Sequence, residues 1–456
     1  MKKLLIIATL AAVGMGACSK DDGVSAPEDL RKYVQVTIPE NAASGETRTS
    51  VDGTTTSWVA GDKVAVSLYN GSTTEVCEFT ADRTGATTTF SGSVPVGSYT
   101  CAAAHYPFCA ATFDAVNKTF THTWGDAYCS TDLAAYDFMF STVYETPFVV
   151  DETTTVLPIA LTFRPLMARI GMKLALGANE TPKYVTFTTD DNVLPTAGTV
   201  NADGTFSASA LTNSLTVETD RKEFTVGLLP VGVASKMSVH VTTTDGMTYS
   251  DKSFQLAGLK RNTHYTMNVP CRTKRFMLTV PDGVNSKYGT GTYKNNEFYS
   301  VDPATDPTGI FKDWYFYRAE LKNTTNTARG DKLKGKNRIQ LQVALGGNNS
   351  NNGAFVTAPI QCDGTKTVTV SFTAASNRAI SANYWIGVTD NGPITSDWLR
   401  DINKISPHAE GLIPRSDNVS HSHTFTVTNG QRIMVKVSNT LGEHHLEFAD
   451  FTYTVE

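Results

Sequence analysis

Few residues in this sequence are arranged for catalysis. There is no GxSxG, no HExxH, no GxxxxGK[ST] loop and no close pair of carboxylates in a recognisable motif. Nothing therefore assembles an activated serine, a zinc-bound water or a phosphate cradle, although a glycosidase's two acids can lie far apart in sequence. The chemistry that residue type and spacing do offer is binding. His421-Ser422-His423 sets two imidazoles on one face of a strand, a candidate metal pair that needs a third donor such as His444 or His445. Asp302 and Asp306 are candidate ligands of a structural calcium, without the spacing of an EF-hand loop. No other cofactor is called for. Tyr384, Trp385, Trp398 and Arg400 are candidate sugar contacts, because aromatic faces stack on sugar rings and a guanidinium fixes hydroxyls. Burial in the core is the competing reading for each aromatic, and Trp314 is assigned to the core. Arg329-Gly330-Asp331 is an integrin-type tripeptide, and three fixed residues recur by chance.

The elements that must position these residues begin after an export segment. Met1-Lys2-Lys3 is a basic start, and Leu4 to Val13 is apolar apart from Thr9, too short to cross a bilayer. Gly14-Met15-Gly16-Ala17-Cys18 then resembles the lipobox of bacterial lipoproteins. That resemblance implies cleavage before Cys18 and acylation of its sulfur, with residues 1–17 as signal peptide and the outer membrane as the surface held by the acyl chains. Ser19-Lys20-Asp21-Asp22-Gly23 is similar to the short Lys/Asp-rich signal that sends such lipoproteins to the outer face of the outer membrane, and 18–32 reads as a polar tether. No later apolar run reaches 18 residues.

The 456 residues are enough for two to four domains. Hydrophobic residues make up 40% and charged residues 18%, and 39 Lys+Arg against 44 Asp+Glu give a net charge of −5, which offers no basic surface for nucleic acid. Alternation with period two runs through Val34, Val36 and Ile38; Val64, Val66 and Leu68; Ala168 to Leu176; Met237, Val239 and Val241; Ile339 to Leu345; Val368, Val370 and Phe372; and Phe451, Tyr453 and Val455. Such runs predict strands with one buried face, separated by turns such as Asp52-Gly53, Asp203-Gly204 and Asp245-Gly246. Only Asp132–Met139 and Trp398–Ile405 suit short helices. Four of the six cysteines beyond Cys18 (Cys77, Cys101, Cys109, Cys129) fall close together, which allows one or two disulfides in an exported first domain, and no CxxC is present. Boundaries near Pro147 and at a basic stretch, Cys271-Arg272-Thr273-Lys274-Arg275, divide the chain into 33–147, 148–270 and 276–456.

Thr47-Arg48-Thr49-Ser50 with Thr56-Ser57-Trp58-Val59-Ala60-Gly61-Asp62-Lys63-Val64, then Pro158–Ile170, Leu229-Pro230, Thr244–Tyr249 and Leu259–Tyr265, resemble the fimbrillin (Mfa-like) family of type V pilins over about residues 33–270. The resemblance implies two transthyretin-like Greek-key β-sandwiches in an all-β protein. It also implies assembly with other pilin subunits by donor-strand exchange, after an Arg-specific protease removes the first strand. Here that means cleavage between Arg48 and Thr49 and release of Val34–Ile38, with Arg31 and Arg275 as competing sites. The physics is β-augmentation of a groove left with unpaired backbone. Residues 276–456 are similar to galactose-binding-like jelly rolls, which implies a third sandwich able to take a glycan or another surface ligand.

These readings converge on a non-enzymatic surface lipoprotein of fimbriae. The final strand, Phe451–Val455, alternates like a buried one, so donating it would mean unfolding the module. The expectation is a tip adhesin that accepts a strand without giving one. A glycan-binding lipoprotein that never polymerises is the alternative, with a glycosidase accessory behind it.

Overall fold

The computed structural model describes residues 31–38, 58–85, 87–280, 298–300, 311–322, 333, 336–342, 352–376, 381–389, 392–414, 418–437 and 445–456. Cys18, Arg48, Thr49, Asp302, Asp306, His444 and the Arg329–Asp331 tripeptide lie outside them. The fold is all-β and built of packed sheets, as the alternation predicts. The two short helices keep a single turn each, Leu133–Tyr136 and Ser396–Arg400. Asp132 and Thr395 cap them by accepting from the Ala135 and Trp398 amides at 3.1 and 3.2 Å. The residues that follow turn to strand, Met139–Ser141 and Ile405–Ile413, because their alternating side chains belong to sheets.

Three cores organise the sheets. The first lies beneath a seven-stranded sheet in the order Arg31–Ile38, Thr88–Pro95, Thr74–Ala81, Lys63–Tyr69, Cys101–Tyr106, Met139–Ser141, Phe163–Pro165. It is closed by the pair Gly97–Tyr99 with Phe148–Val150 and by Leu157, Ile159 and Leu161. Trp58 sits at its centre, 4.9 Å from the Phe90 ring and 5.5 Å from Tyr106 and Phe163. The second core draws on Ala168–Ala175, which runs antiparallel to Glu223–Leu228 and parallel to His264–Pro270. It also takes in Phe113, Phe120, Phe138 and Phe140 from upstream of Pro147. The hairpin Thr112–Asp114/Thr119–Thr123 joins the Leu194–Asn201/Phe206–Thr212 hairpin in one four-stranded sheet, so the first two sandwiches interlock across the boundary expected near 147.

The third core fills the space between a six-stranded sheet and the far half of a ten-stranded one, with Trp314 fully buried among Phe276, Phe311, Phe316 and Phe355. The stretch 271–275 is not a loose linker. Lys274–Met277 is a strand that joins the two halves of the ten-stranded sheet: Lys274 and Arg275 pair with Tyr249 and Thr248 on one side, and Lys274 to Met277 pair with Val455 to Thr452 on the other. Cys77, Cys101, Cys109 and Cys129, which could have formed disulfides in the first domain, are unbridged in this structure. Among the described residues no helix is long and apolar enough to cross a membrane.

Candidate functional site

The strand expected to be removed is an edge strand with a fully committed inner face. Arg31–Ile38 pairs antiparallel with Thr88–Pro95 over its whole length, placing Val34 opposite Gly92 and Val36 opposite Phe90. Val34, Val36 and Ile38 are buried, and Tyr33, Gln35 and Thr37 face outward. Gly92 is required here, because a Cβ would stand 2.5 Å from the Glu78 carbonyl oxygen and 2.7 Å from the Phe79 ring. Among the described residues the backbone on the other side of the strand is bonded at Gln35, whose amide donates to Thr155 O at 2.9 Å and whose carbonyl accepts from the Leu157 amide at 2.8 Å, and the Lys32 ammonium donates to Glu152 O. Arg31 lies in this strand and Arg275 in the shared one, so both competing cleavage sites are in paired backbone.

The strand that ends at Val455 is placed in the opposite way. His445–Val455 runs down the middle of its sheet, between Thr365–Ser376 on one side and, on the other, Arg338–Gln342 and then Lys274–Met277. Leu446, Phe448, Phe451, Tyr453 and Val455 all enter the third core.

The four ligand candidates of the C-terminal module divide between two faces. Tyr384 and Trp385 are adjacent on the strand Ala382–Thr389, so they must point to opposite sides of it. Tyr384 enters the core, with no exposed surface, and donates or accepts at 2.8 Å with His423 Nε2. Trp385 points to the outer side, into a small cluster with Trp398, Leu399, Tyr317 and Met434. Arg400 follows Trp398 on the covering helix, 3.3 Å from Asp397 Oδ1. Beneath that helix Lys436, opposite Trp385 in register, is wholly buried, and its ammonium donates to the carbonyls of Leu399 at 3.2 Å and Asn352 at 3.4 Å. Burial pushes that ammonium down to about 8, with Arg400 adding to the effect.

His421 and His423 do share a face, their rings nearly parallel with centroids 6.3 Å apart against Phe372. Burial pushes both imidazoles down. Among the described residues no third His, Cys, Asp or Glu joins them in a metal-holding group.

The junction between the second and third cores carries a charge cluster that the sequence reading missed. Lys274 Nζ lies 2.9 Å from Glu180 Oε1 and 2.9 Å from Asp245 Oδ2, with side chains 1%, 6% and 2% exposed. It also donates to the Gln361 carbonyl. Glu180 accepts from the Tyr249 hydroxyl at 2.6 Å and the Gly177 amide at 2.9 Å. Asp245 accepts from the Gln361 amide at 3.1 Å. Burial pushes the Glu180 carboxyl up, but Lys274 and these hydrogen bonds together hold it below the usual carboxylate value. Asp363 adds a second tie, accepting from the Ala178 and Asn179 amides at 2.6 and 3.2 Å. The signal was available: Lys274, Phe276 and Leu278 alternate, which places Lys274 on a buried face.

Solved structures align with parts of the chain at low similarity. A candidate cell adhesion protein of Bacteroides uniformis is 16% identical at a TM-score of 0.36, over 54% of this chain and 94% of that one. The tip fimbrial protein Mfa3 of Porphyromonas gingivalis, truncated at its C-terminus, is 11% identical at a TM-score of 0.29, over 55% and 96%. The CBM22-1 xylan-binding domain of Paenibacillus barcinonensis Xyn10C is 12% identical at a TM-score of 0.22, over 32% and 86%. Among curated proteins there is no match. The family model described as fimbrillin-like matches residues 47–283, just over half of the sequence, from the stretch before Trp58 to just past the shared strand. The chain belongs to the fimbrillin-like family.

Proposed function

We propose that this protein is a non-enzymatic subunit of a surface fibre, anchored through a lipid on Cys18, that accepts a neighbour's strand in place of Arg31–Ile38 and stands at the fibre end. The observation that carries this reading is the contrast between its two terminal strands. The first is an edge strand, its backbone bonded along one whole side and, among the described residues, on the other side at Gln35. Its loss would open three apolar sockets, those of Val34, Val36 and Ile38, each contributing ~1.5–3 kcal/mol when filled, ~5–9 kcal/mol together. It would also bare one edge of Thr88–Pro95, still paired with Thr74–Ala81 on the other, as a template for an incoming alternating strand. The last strand is internal, paired on both sides and built into a core, so it cannot be donated without opening the module.

The C-terminal module is then the contact domain. Trp385, half-buried on the outer side and packed against the buried Trp398, is the aromatic face this module offers to a glycan or other surface ligand, with Arg400 on the same covering helix as Trp398. Tyr384 has no part in that surface, because its ring is in the core.

Strand replacement is tested on the whole chain cleaved after Arg48 with a trypsin-like protease. A labelled peptide of residues 30–40 should displace the nicked strand and resist washing, while the same peptide carrying Val34→Asp and Val36→Asp should not. Equal retention of the two peptides, or of neither, would overturn the acceptor role.

A further inference from the structure

The second sandwich carries a cavity of about 420 Å³ that no part of the strand-exchange reading uses. Its walls include Phe206, Val231, Leu259, Lys260 and Arg261, with Gly204 at one side. A volume of this size suits a small molecule.

The cavity is built, not left between loose loops. Val231 and Leu259 exchange two backbone hydrogen bonds, at 3.0 and 2.9 Å. Gly258, at φ +123°, makes that closure feasible, since a Cβ there would lie 2.9 Å from Val231 O. The loop beyond is pinned twice more: the Lys260 amide donates to the Tyr265 hydroxyl at 3.0 Å, and the Asn262 amide donates to Met167 O at 3.0 Å. Phe206 packs against Gly198, whose Cβ would stand 2.5 Å from the ring.

Arg261 is the informative group. Its guanidinium rests on Gly204, occupying the space a Cβ would take: the ideal position is 2.6 Å from Cζ and Nε. Gly204 is at φ +91°, where other residues are strained, so the turn is shaped for this contact. Among the described residues neither the Arg261 guanidinium nor the Lys260 ammonium has a hydrogen-bond or ion-pair partner. Arg164, 3.3 Å from Ala202 O, adds a third cation nearby. Asp203 lies within electrostatic reach of Arg261 and Arg164, but the hydrogen bond it accepts is from the Thr205 amide, at 2.7 Å. A held, planar, unpaired guanidinium beside an apolar wall is the arrangement that binds a carboxylate in two-pronged fashion while packing the body that carries it.

We propose that this cavity binds a carboxylate-bearing ligand of sugar or amino-acid size, with the carboxylate on Arg261 and Lys260 and the body against Phe206, Val231 and Leu259. The proposal stands apart from strand exchange and from the C-terminal module.

The test is titration of the whole chain at low salt with two acids and their neutral counterparts: sodium glucuronate against glucose, and N-acetyl-leucine against N-acetyl-leucinamide. At least one acid should saturate, with its neutral partner at least tenfold weaker. Glucuronate binding would identify an acidic saccharide as the source of the carboxylate, and N-acetyl-leucine a chain terminus. Arg261→Gln should weaken the bound acid at least tenfold, and Lys260→Gln two- to fivefold. Should Arg261→Gln fail to fold, Lys260→Gln decides, because its side chain is exposed and its loss cannot disturb the core. Failure of both acids to saturate, equal binding of acid and neutral partner, or unchanged affinity in the variants would each overturn the proposal.

Discussion

Replacing Lys274 by methionine tests whether the second and third sandwiches act as one unit. The substitution keeps most of the buried stem and removes the ammonium, both its charge and its hydrogen-bond donors. Glu180 and Asp245, 6% and 2% exposed, would then face each other without the cation that lies 2.9 Å from each. Removing one partner of a buried, hydrogen-bonded ion cluster costs about 3–5 kcal/mol, because the remaining charge is left uncompensated. That is a large share of a domain's ~5–15 kcal/mol. The assay is urea unfolding followed by tryptophan emission. Trp314 is a local reporter, since its ring lies 5.0 Å from Phe276 on the shared strand. Lys274→Met should move the Trp314 transition to lower urea and open the chain to proteolysis near 271–281. Adding Glu180→Gln and Asp245→Asn to Lys274→Met should restore much of the loss, since neutral amides carry no buried charge. Acid should act in the same direction. The folded Glu180 carboxyl lies below its unfolded value of ~4.3, so its contribution is complete above that pH and is lost as the pH falls through the folded value. A Lys274→Met protein within about 1 kcal/mol of wild type would refute the reasoning.

Two further predictions rest on other parts of the chain. Cys18→Ala should leave an unprocessed precursor or release the protein from membranes; mature variant still partitioning into detergent would show that no lipid is attached there. Lys436→Met should stabilise the C-terminal module by about 1–3 kcal/mol at pH 7, because burial holds the ammonium down to about 8 and a methionine fits the same space. The wild-type module should itself gain stability as pH rises from about 8 towards ~10.4, the unfolded value, and the variant should not; parallel pH profiles would contradict this.

Much of the architecture could be read from alternation alone. Val34, Val36 and Ile38 announced a half-buried strand, and Phe451, Tyr453 and Val455 a core one, as found. Period two reveals which face is buried but not which strand lies alongside. That is why the pairing of 119–123 with 197–201 across the expected boundary was not legible. The charged stretch at 271–275 looked like a linker because composition records charge, whereas Lys274 is tolerated in the core by two carboxylates distant in sequence. Neighbours on a strand diverge, so Tyr384 and Trp385 could not share a face, but which of them entered the core required knowing where the core lay. The Arg261 cavity was invisible, since its walls come from three separate turns.

The central proposal is that this subunit accepts a strand at the edge held by Arg31–Ile38 and does not give His445–Val455, which is internal to its sheet. Immunogold labelling of intact fibres with antibody against residues 276–456 tests it most directly. The account predicts gold at fibre ends only. Gold spaced along the shafts would contradict it, since every labelled shaft position would be a subunit that had both accepted and donated.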